Sequence, residues 1–222
     1  MPAIHGASRR LAVVAVTRLT VGRPGTFVDQ EQNGALKWGA RWRRKAGVEE
    51  PIIDLHSDAY FMGQALREAR RAYNATEVPI GAVIVKEGRV ISRAWNQVET
   101  LKDATAHAEM LALTAAQNVL GDWRLEGCTL YVTKEPCPMC AGAIVHCRPE
   151  RVVFGCPDPK GGAAGGWINL LESNPPLNHR CDVTAGILGE ECLGLIQGFF
   201  REAREKKKLS RMEPDQLPGG GE

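Results

Sequence analysis

The stretch Cys128 to Gly142, CTLYVTKEPCPMCAG, constrains this chain more than any other. Its first six residues alternate β-branched and apolar positions as a buried strand does, and Pro138 stands where a helix accepts proline, because the first helical N–H groups have no internal partner. The stretch therefore reads as strand, tight turn and helix, with Cys137 and Cys140 on the first helical turn. A helix N-terminus lowers a thiol pKa and favours thiolate. That suits a redox couple, half of a closed structural zinc knot or part of an active site equally well.

The surrounding pattern is that of a layered α/β domain. Ser57 or Asp58 can cap a helix whose stripe Met62, Leu66, Ala69 and Tyr73 repeats at three and four residues. IGAVIVKEGRVISRAW then reads as two strands joined at Glu87-Gly88 in a hairpin. Ala106 to Val119 is predicted helical, Cys128 to Thr133 a strand, Pro138 to Cys147 a helix and RVVFG a strand, and CDVTAG is a candidate short final strand. Strands alternating with helices after the hairpin predict parallel strand pairs. A last helix is expected with Leu188, Cys192, Leu195, Phe199 and Ala203 on one face, followed by Arg204, Lys206, Lys207, Lys208 and Arg211. GCPDPKGGAAGG lacks the phosphate-cradling P-loop pattern and reads by itself as a surface loop.

Length and composition narrow the class. A chain of 222 residues, 44% hydrophobic and 24% charged, fits one globular domain with appendages. Leu11 to Val16, the longest aliphatic run near the start, is far too short to span a bilayer. Seven cysteines, an odd number scattered without a small-domain spacing, point to a reducing compartment, with Cys128, Cys147, Cys156, Cys181 and Cys192 as small buried hydrophobes. Residues 1–54 hold nine Lys/Arg against five Asp/Glu, so the remainder is slightly acidic and net charge gives no support to nucleic-acid binding. That segment lacks periodicity and is expected to be a poorly ordered extension; its first 27 residues, with four arginines and no acid, are also compatible with a transit peptide. Residues 55–208 form the expected domain, and 209–222 a disordered Pro/Gly tail.

Further metal ligands decide the meaning of Cys137 and Cys140. No second Cys-x-x-Cys and no His-x(3 to 5)-His exists in the chain, which argues against a closed structural zinc site. TAHAEM, at the start of the helix upstream, offers His107 as a nitrogen ligand and Glu109 beside it. One His and two Cys make three ligands, the number that leaves a catalytic zinc one position for water, whose proton is then lost near neutral pH. Glu109 need not ligate; it can carry a proton from that water to a substrate nitrogen. His-x-Glu followed by Pro-Cys-x-x-Cys is the signature of zinc nucleobase deaminases.

Beyond the metal motif, EVPIGAVIV, AWN at 94–96, DATAHAEM, TLYVTKEPCPMCAGAIVHCR, RVVFG, the DPKGGAAGG loop, NHR at 178–180 and GFFREAR resemble the bacterial tRNA-specific adenosine deaminases. The resemblance runs from about Tyr60 to Arg204. It implies a three-layer αβα cytidine deaminase-like fold, a mixed central sheet with helices on both faces. It also implies a cytoplasmic homodimer with one Zn²⁺ per subunit, which converts adenosine to inosine at the wobble position of a tRNA anticodon stem-loop. Carried over, His107, Cys137 and Cys140 match the zinc ligands and Glu109 the proton shuttle. Asn96 matches the asparagine that contacts the flipped purine, and the Pro136 carbonyl lies where the expelled amine is hydrogen-bonded. Asp158 and Lys160 match loop positions beside the substrate strand, and Phe199 and Phe200 match aromatics near the anticodon. Ala104 stands where the family often has proline, and Lys134 where it usually has an apolar residue. The alternative is a free-base or nucleoside deaminase such as guanine deaminase, which shares PCPMC; the GGAAGG, NHR and FFREAR segments separate the two.

Overall fold

The computed structural model describes residues 54–173 and 176–211. The expected N-terminal extension, apart from Asp54, and residues 212–222 of the expected tail lie outside them. The elements are α1 (Asp58–Asn74), β1 (Gly81–Lys86), β2 (Arg89–Trp95), the single turn α2 (Val98–Leu101), α3 (Ala108–Leu120), β3 (Cys128–Lys134), α4 (Pro138–Cys147), β4 (Arg151–Cys156), β5 (Asp182–Ala185) and α5 (Gly189–Leu209).

The five strands form one mixed sheet in the order β2-β1-β3-β4-β5. β1 runs antiparallel to both β2 and β3, and β3, β4 and β5 are parallel. The β1–β2 turn places Glu87 at φ 50 and Gly88 at φ 71, the pair of left-handed residues whose twist suits a two-residue hairpin. Since β1 opposes both neighbours, β2 and β3 point the same way, and the segments leaving them emerge at one end of the sheet.

Strand alternation sorts the core into two layers. Val83, Val85, Tyr131 and Val153 face α1 and α5, packing on Phe61, Met62, Ala65, Leu66, Cys192 and Ile196. Ala82, Ile84, Leu130, Val132, Val152 and Phe154 face α3 and α4, against Ala108, Ala112, Leu113, Ala116, Ala141 and Ile144. The result is the expected αβα sandwich, with a small-residue face on α3 that lets it lie close to the sheet.

α5 keeps its expected face as far as Phe199: Cys192 is buried, Leu188 and Leu195 pack on the same layer and Phe199 meets Tyr73 of α1, whereas Ala203 is exposed, and the helix continues through Lys206–Lys208 to Leu209. The i, i+4 pair Cys192 and Ile196 joins the α1-side core layer. Residues 201–209 are all exposed, so they carry no apolar requirement, and three lysines in the last turn suit the helix C-terminus.

Ser57, not Asp58, caps α1, accepting from the Tyr60 N–H at 3.2 Å. Asp58 is thereby free to tie α1 to the sheet. The Arg151 guanidinium donates to both of its oxygens at 2.8 and 2.7 Å, Tyr131 Oη donates to it at 2.8 Å, and Arg151 also donates to Thr184 Oγ1 at 2.8 Å. Its bonds to Arg151 hold the Asp58 carboxyl below its ordinary 3.8, outweighing burial, with Tyr131 adding in the same direction. A depressed folded pKa stabilises above the unfolded value and is lost as pH falls through the folded one. Asp58→Asn should therefore cost about 1–2 kcal/mol at pH 7. In denaturant titrations the gap between variant and wild type should close as pH drops below 3.8.

Candidate active site

The candidate histidine and cysteine ligands stand at helix starts. His107 is the N-cap of α3 (φ −69, ψ 152) and Cys137 the N-cap of α4 (φ −73, ψ 170), and neither side chain caps its own helix. Each is therefore available for another partner. Cys140 lies one turn into α4 and is fully buried.

The three side chains converge. The candidate ligand atoms of His107, Cys137 and Cys140 all lie within 4.8 Å of one another. His107 Nδ1 is 3.6 Å from Cys137 Sγ and 3.5 Å from Cys140 Sγ. A tetrahedral zinc with ordinary Zn–N and Zn–S bonds would set this nitrogen-to-sulfur edge at about 3.6 Å. The donor set, one imidazole and two thiols, is also one that zinc takes. Among the described residues no fourth His, Cys, Asp or Glu joins the group.

Electrostatics at the cluster favour a dication. Hydrogen bonding to Cys140 draws the Cys137 thiol down to about 4 against the opposing effect of burial, with His107 assisting. The hydrogen bond of Cys137, then burial and the charges of Glu109 and Cys137, push Cys140 up. Glu109, 3% exposed in the first turn of α3, is raised chiefly by burial. Its Oε2 is the buried side-chain oxygen without a hydrogen-bond partner among the described residues. An unpaired carboxylate oxygen at such a place is costly unless something binds there.

Beside the cluster opens a cavity of about 550 Å³ whose wall includes Glu77, Asn96, His107, Lys134, Phe199 and Phe200. Asn96 and the two phenylalanines thus line one cavity with His107. Phe199 packs edge-on against Phe200 and Tyr73, with ring centroids 5.4 and 5.7 Å apart. Asp158 pairs with Lys134 at 2.6 Å, which gives the unusual lysine a partner at the cavity edge. Lys160 is exposed and lies outside the cavity wall, with its backbone N–H donating to Asp158 Oδ1 at 3.2 Å. The Pro136 carbonyl accepts the Ala163 N–H at 2.8 Å, leaving one lone pair for another donor.

Two buried carboxylates close to the site were not expected from the sequence: Glu77, 1% exposed, and Glu135, 3% exposed. Glu135 organises the glycine-rich loop, accepting from the N–H groups of Asp158 (2.7 Å), Ala164 (2.9 Å) and Gly166 (2.7 Å). The loop is therefore a folded wall. A Cβ added at Gly162 or Gly166 would stand 2.2 Å from the Glu135 carboxylate, so both positions need glycine for close approach. The sequence offered one signal, an acid directly between a predicted strand and the Pro-Cys turn, followed by a run of glycines.

Residues 55–156 match the family model described as the cytidine and deoxycytidylate deaminase zinc-binding region. The tRNA-specific adenosine deaminase of Bacillus subtilis is 54% identical over 154 residues, covering 69% of this chain and 95% of that protein. The chain belongs to the tRNA-specific adenosine deaminase family.

Relatives in three dimensions tell the same story. A solved structure from work on A-to-I editing by tRNA:A34 deaminases at the wobble position of transfer RNA is 45% identical with a TM-score of 0.59, and the match covers 61% of this chain and 98% of that one. The guanine deaminase of Nitrosomonas europaea, 24% identical with a TM-score of 0.57 over 64% of this chain and 84% of that one, shares the fold. The family is one of zinc-binding deaminases, and the His107, Cys137 and Cys140 cluster suits that metal.

Glu135→Ala should leave the three loop N–H groups without an acceptor and cost about 3 kcal/mol. Limited proteolysis should then cut within residues 157–170, and under the same conditions should leave that region of the wild type intact.

Proposed function

We propose that this protein hydrolyses adenosine to inosine at the wobble position of a tRNA anticodon. In this reading His107, Cys137 and Cys140 hold one zinc ion per subunit and Glu109 moves the proton. The observation that carries the reading is the unpartnered, buried Oε2 of Glu109 next to a three-ligand cluster at the edge of a base-sized cavity. Bound there, zinc would act as a Lewis acid and acidify a water to near neutrality.

The protein's own groups do the rest. Glu109, its carboxyl raised by burial, takes a proton from the attacking water and delivers it to the purine, so that a C–O bond forms, the C–N bond breaks and ammonia leaves. Asn96 holds the base by hydrogen bonds from the cavity wall, and the free lone pair of the Pro136 carbonyl accepts from the departing amine. Asp158 and Lys160, on the loop, and Phe199 and Phe200, on α5, serve the nucleotides flanking the target. Reading a splayed single-stranded base in a pocket is the usual way proteins recognise RNA loops.

Support for RNA over a free base comes from α5. Two turns beyond Phe200, Lys207 and Lys208 join Arg204 and Arg211 around a shallow groove of about 340 Å³ with no acid in its lining. Cations there suit a phosphate backbone. On the strength of the family resemblance, the catalytic domain spans residues 55–208 and the protein acts as a homodimer in the cytoplasm. No helix among the described residues is long and apolar enough to cross a membrane.

Incubation with a wobble-adenosine stem-loop should yield inosine, read by sequencing, while free guanine, cytidine and adenosine react poorly. Ammonia release from guanine with an untouched stem-loop would replace this reading with that of a free-base deaminase. Glu109→Gln should retain the metal and the fold yet lose at least ~10²-fold to 10⁴-fold in rate. His107→Ala, Cys137→Ala and Cys140→Ala should lose metal and activity together, as measured by metal analysis of the purified variants.

A further inference from the structure

We propose that Glu77 is a positioning residue for this reaction: its buried carboxylate sets the orientation of the Asn96 carboxamide, and so the hydrogen-bonding pattern that the cavity shows to a purine. The inference rests on the functional reading above and extends it to a residue outside the His107, Cys137 and Cys140 cluster.

Glu77 is 1% exposed and, among the described residues, has no cationic partner. It is held instead by N–H groups. Asn96 Nδ2 donates to its Oε2 at 3.2 Å, the Glu99 N–H donates to the same oxygen at 3.2 Å, and the Thr100 N–H donates to Oε1 at 2.6 Å. Burial pushes this carboxyl up, but the bonds from Thr100, Glu99 and Asn96 outweigh it and keep the group below its usual range. An ionised carboxylate only accepts, so it admits the nitrogen of Asn96 and rejects the oxygen. One N–H is thereby committed to Glu77, and Oδ1 and the other N–H remain as an acceptor and donor pair on a residue lining the cavity. Such a pair matches the N6 and N7 edge of adenine.

Thr76, immediately before Glu77, sits at φ 64 and ends α1 in a Schellman turn, its own N–H donating to the Tyr73 carbonyl at 3.0 Å and the Glu77 N–H to the Ala72 carbonyl at 2.9 Å, so the helix end fixes where Glu77 enters the core. Glu77 also joins three parts of one wall, because Thr76, Glu77 and Val78, Asn96, and Val98 and Glu99 of α2 all face the same cavity.

Glu77→Gln tests this because it preserves shape while replacing one acceptor oxygen by a donor nitrogen, which invites Asn96 to turn over. The variant should keep its metal content, and its kcat/KM on the wobble-adenosine stem-loop should fall at least ~10-fold. In an Asn96→Ala background the same change should cost less than about twofold, since the oriented group is gone. Losses that multiply, or a Glu77→Gln enzyme within about twofold of wild type, would overturn the proposal. A measurement on the unaltered protein covers the case of a variant that fails to fold. One Asn96 side-chain amide proton should be protected from solvent exchange by NMR, and rapid exchange of both would also overturn it. That readout needs no substrate, so it separates failure of this inference from failure of the wobble-adenosine reading, which wild-type inosine formation reports.

Discussion

Everything in this site depends on two helix N-termini meeting at one end of the sheet. β1 runs antiparallel to both β2 and β3, so the chain leaves those two strands at the same edge and starts α3 and α4 there. His107 and Cys137 occupy the two N-cap positions without capping, and Cys140 follows one turn on. The positive ends of both helices favour the thiolate character that a metal needs. The close approach requires small residues where α3 and α4 pack, and Ala108, Ala112, Ala116 and Ala141 supply them.

Around this core stand two carboxylates that bind backbone instead of metal. Glu135 gathers the loop after β4 by three N–H groups, and Glu77 gathers α2 and Asn96 by another three. Each fixes a connecting segment, and the segments that Glu77 holds form part of the cavity wall. Loops that bear functional groups are useful only when a scaffold holds them, and here the scaffold is anionic side chains satisfied by amide hydrogens. Lys134 fits the same picture, since its pairing with Asp158 fixes an acid at the cavity edge that would otherwise turn to solvent.

The sequence made the fold and metal cluster readable for a physical reason: both rest on short-range patterns. Period-two strands, the Glu87-Gly88 turn and Pro138 at a helix start each announce themselves within a few residues, and the three ligands follow from spacing and residue type. The buried carboxylates did not, because nothing local to Glu77 or Glu135 says that the residue is enclosed; their partners lie about 20 to 30 positions away. The face of α5 was legible as far as Phe199, but nothing local says where the core beneath a helix ends, so Ala203 is exposed where the stripe predicts contact. The glycine-rich loop was legible as a loop, but the reason for its glycines, the Glu135 carboxylate pressed against them, was not.

The account stands most directly on a three-ligand metal centre with one position open to solvent. Zinc-edge X-ray absorption on the protein loaded with one zinc per chain measures that. The expected first shell is two sulfurs at about 2.3 Å, one imidazole nitrogen at about 2.0–2.1 Å and one further light atom from solvent. A shell of three or four sulfurs, or of four protein ligands with no exchangeable position, would contradict it.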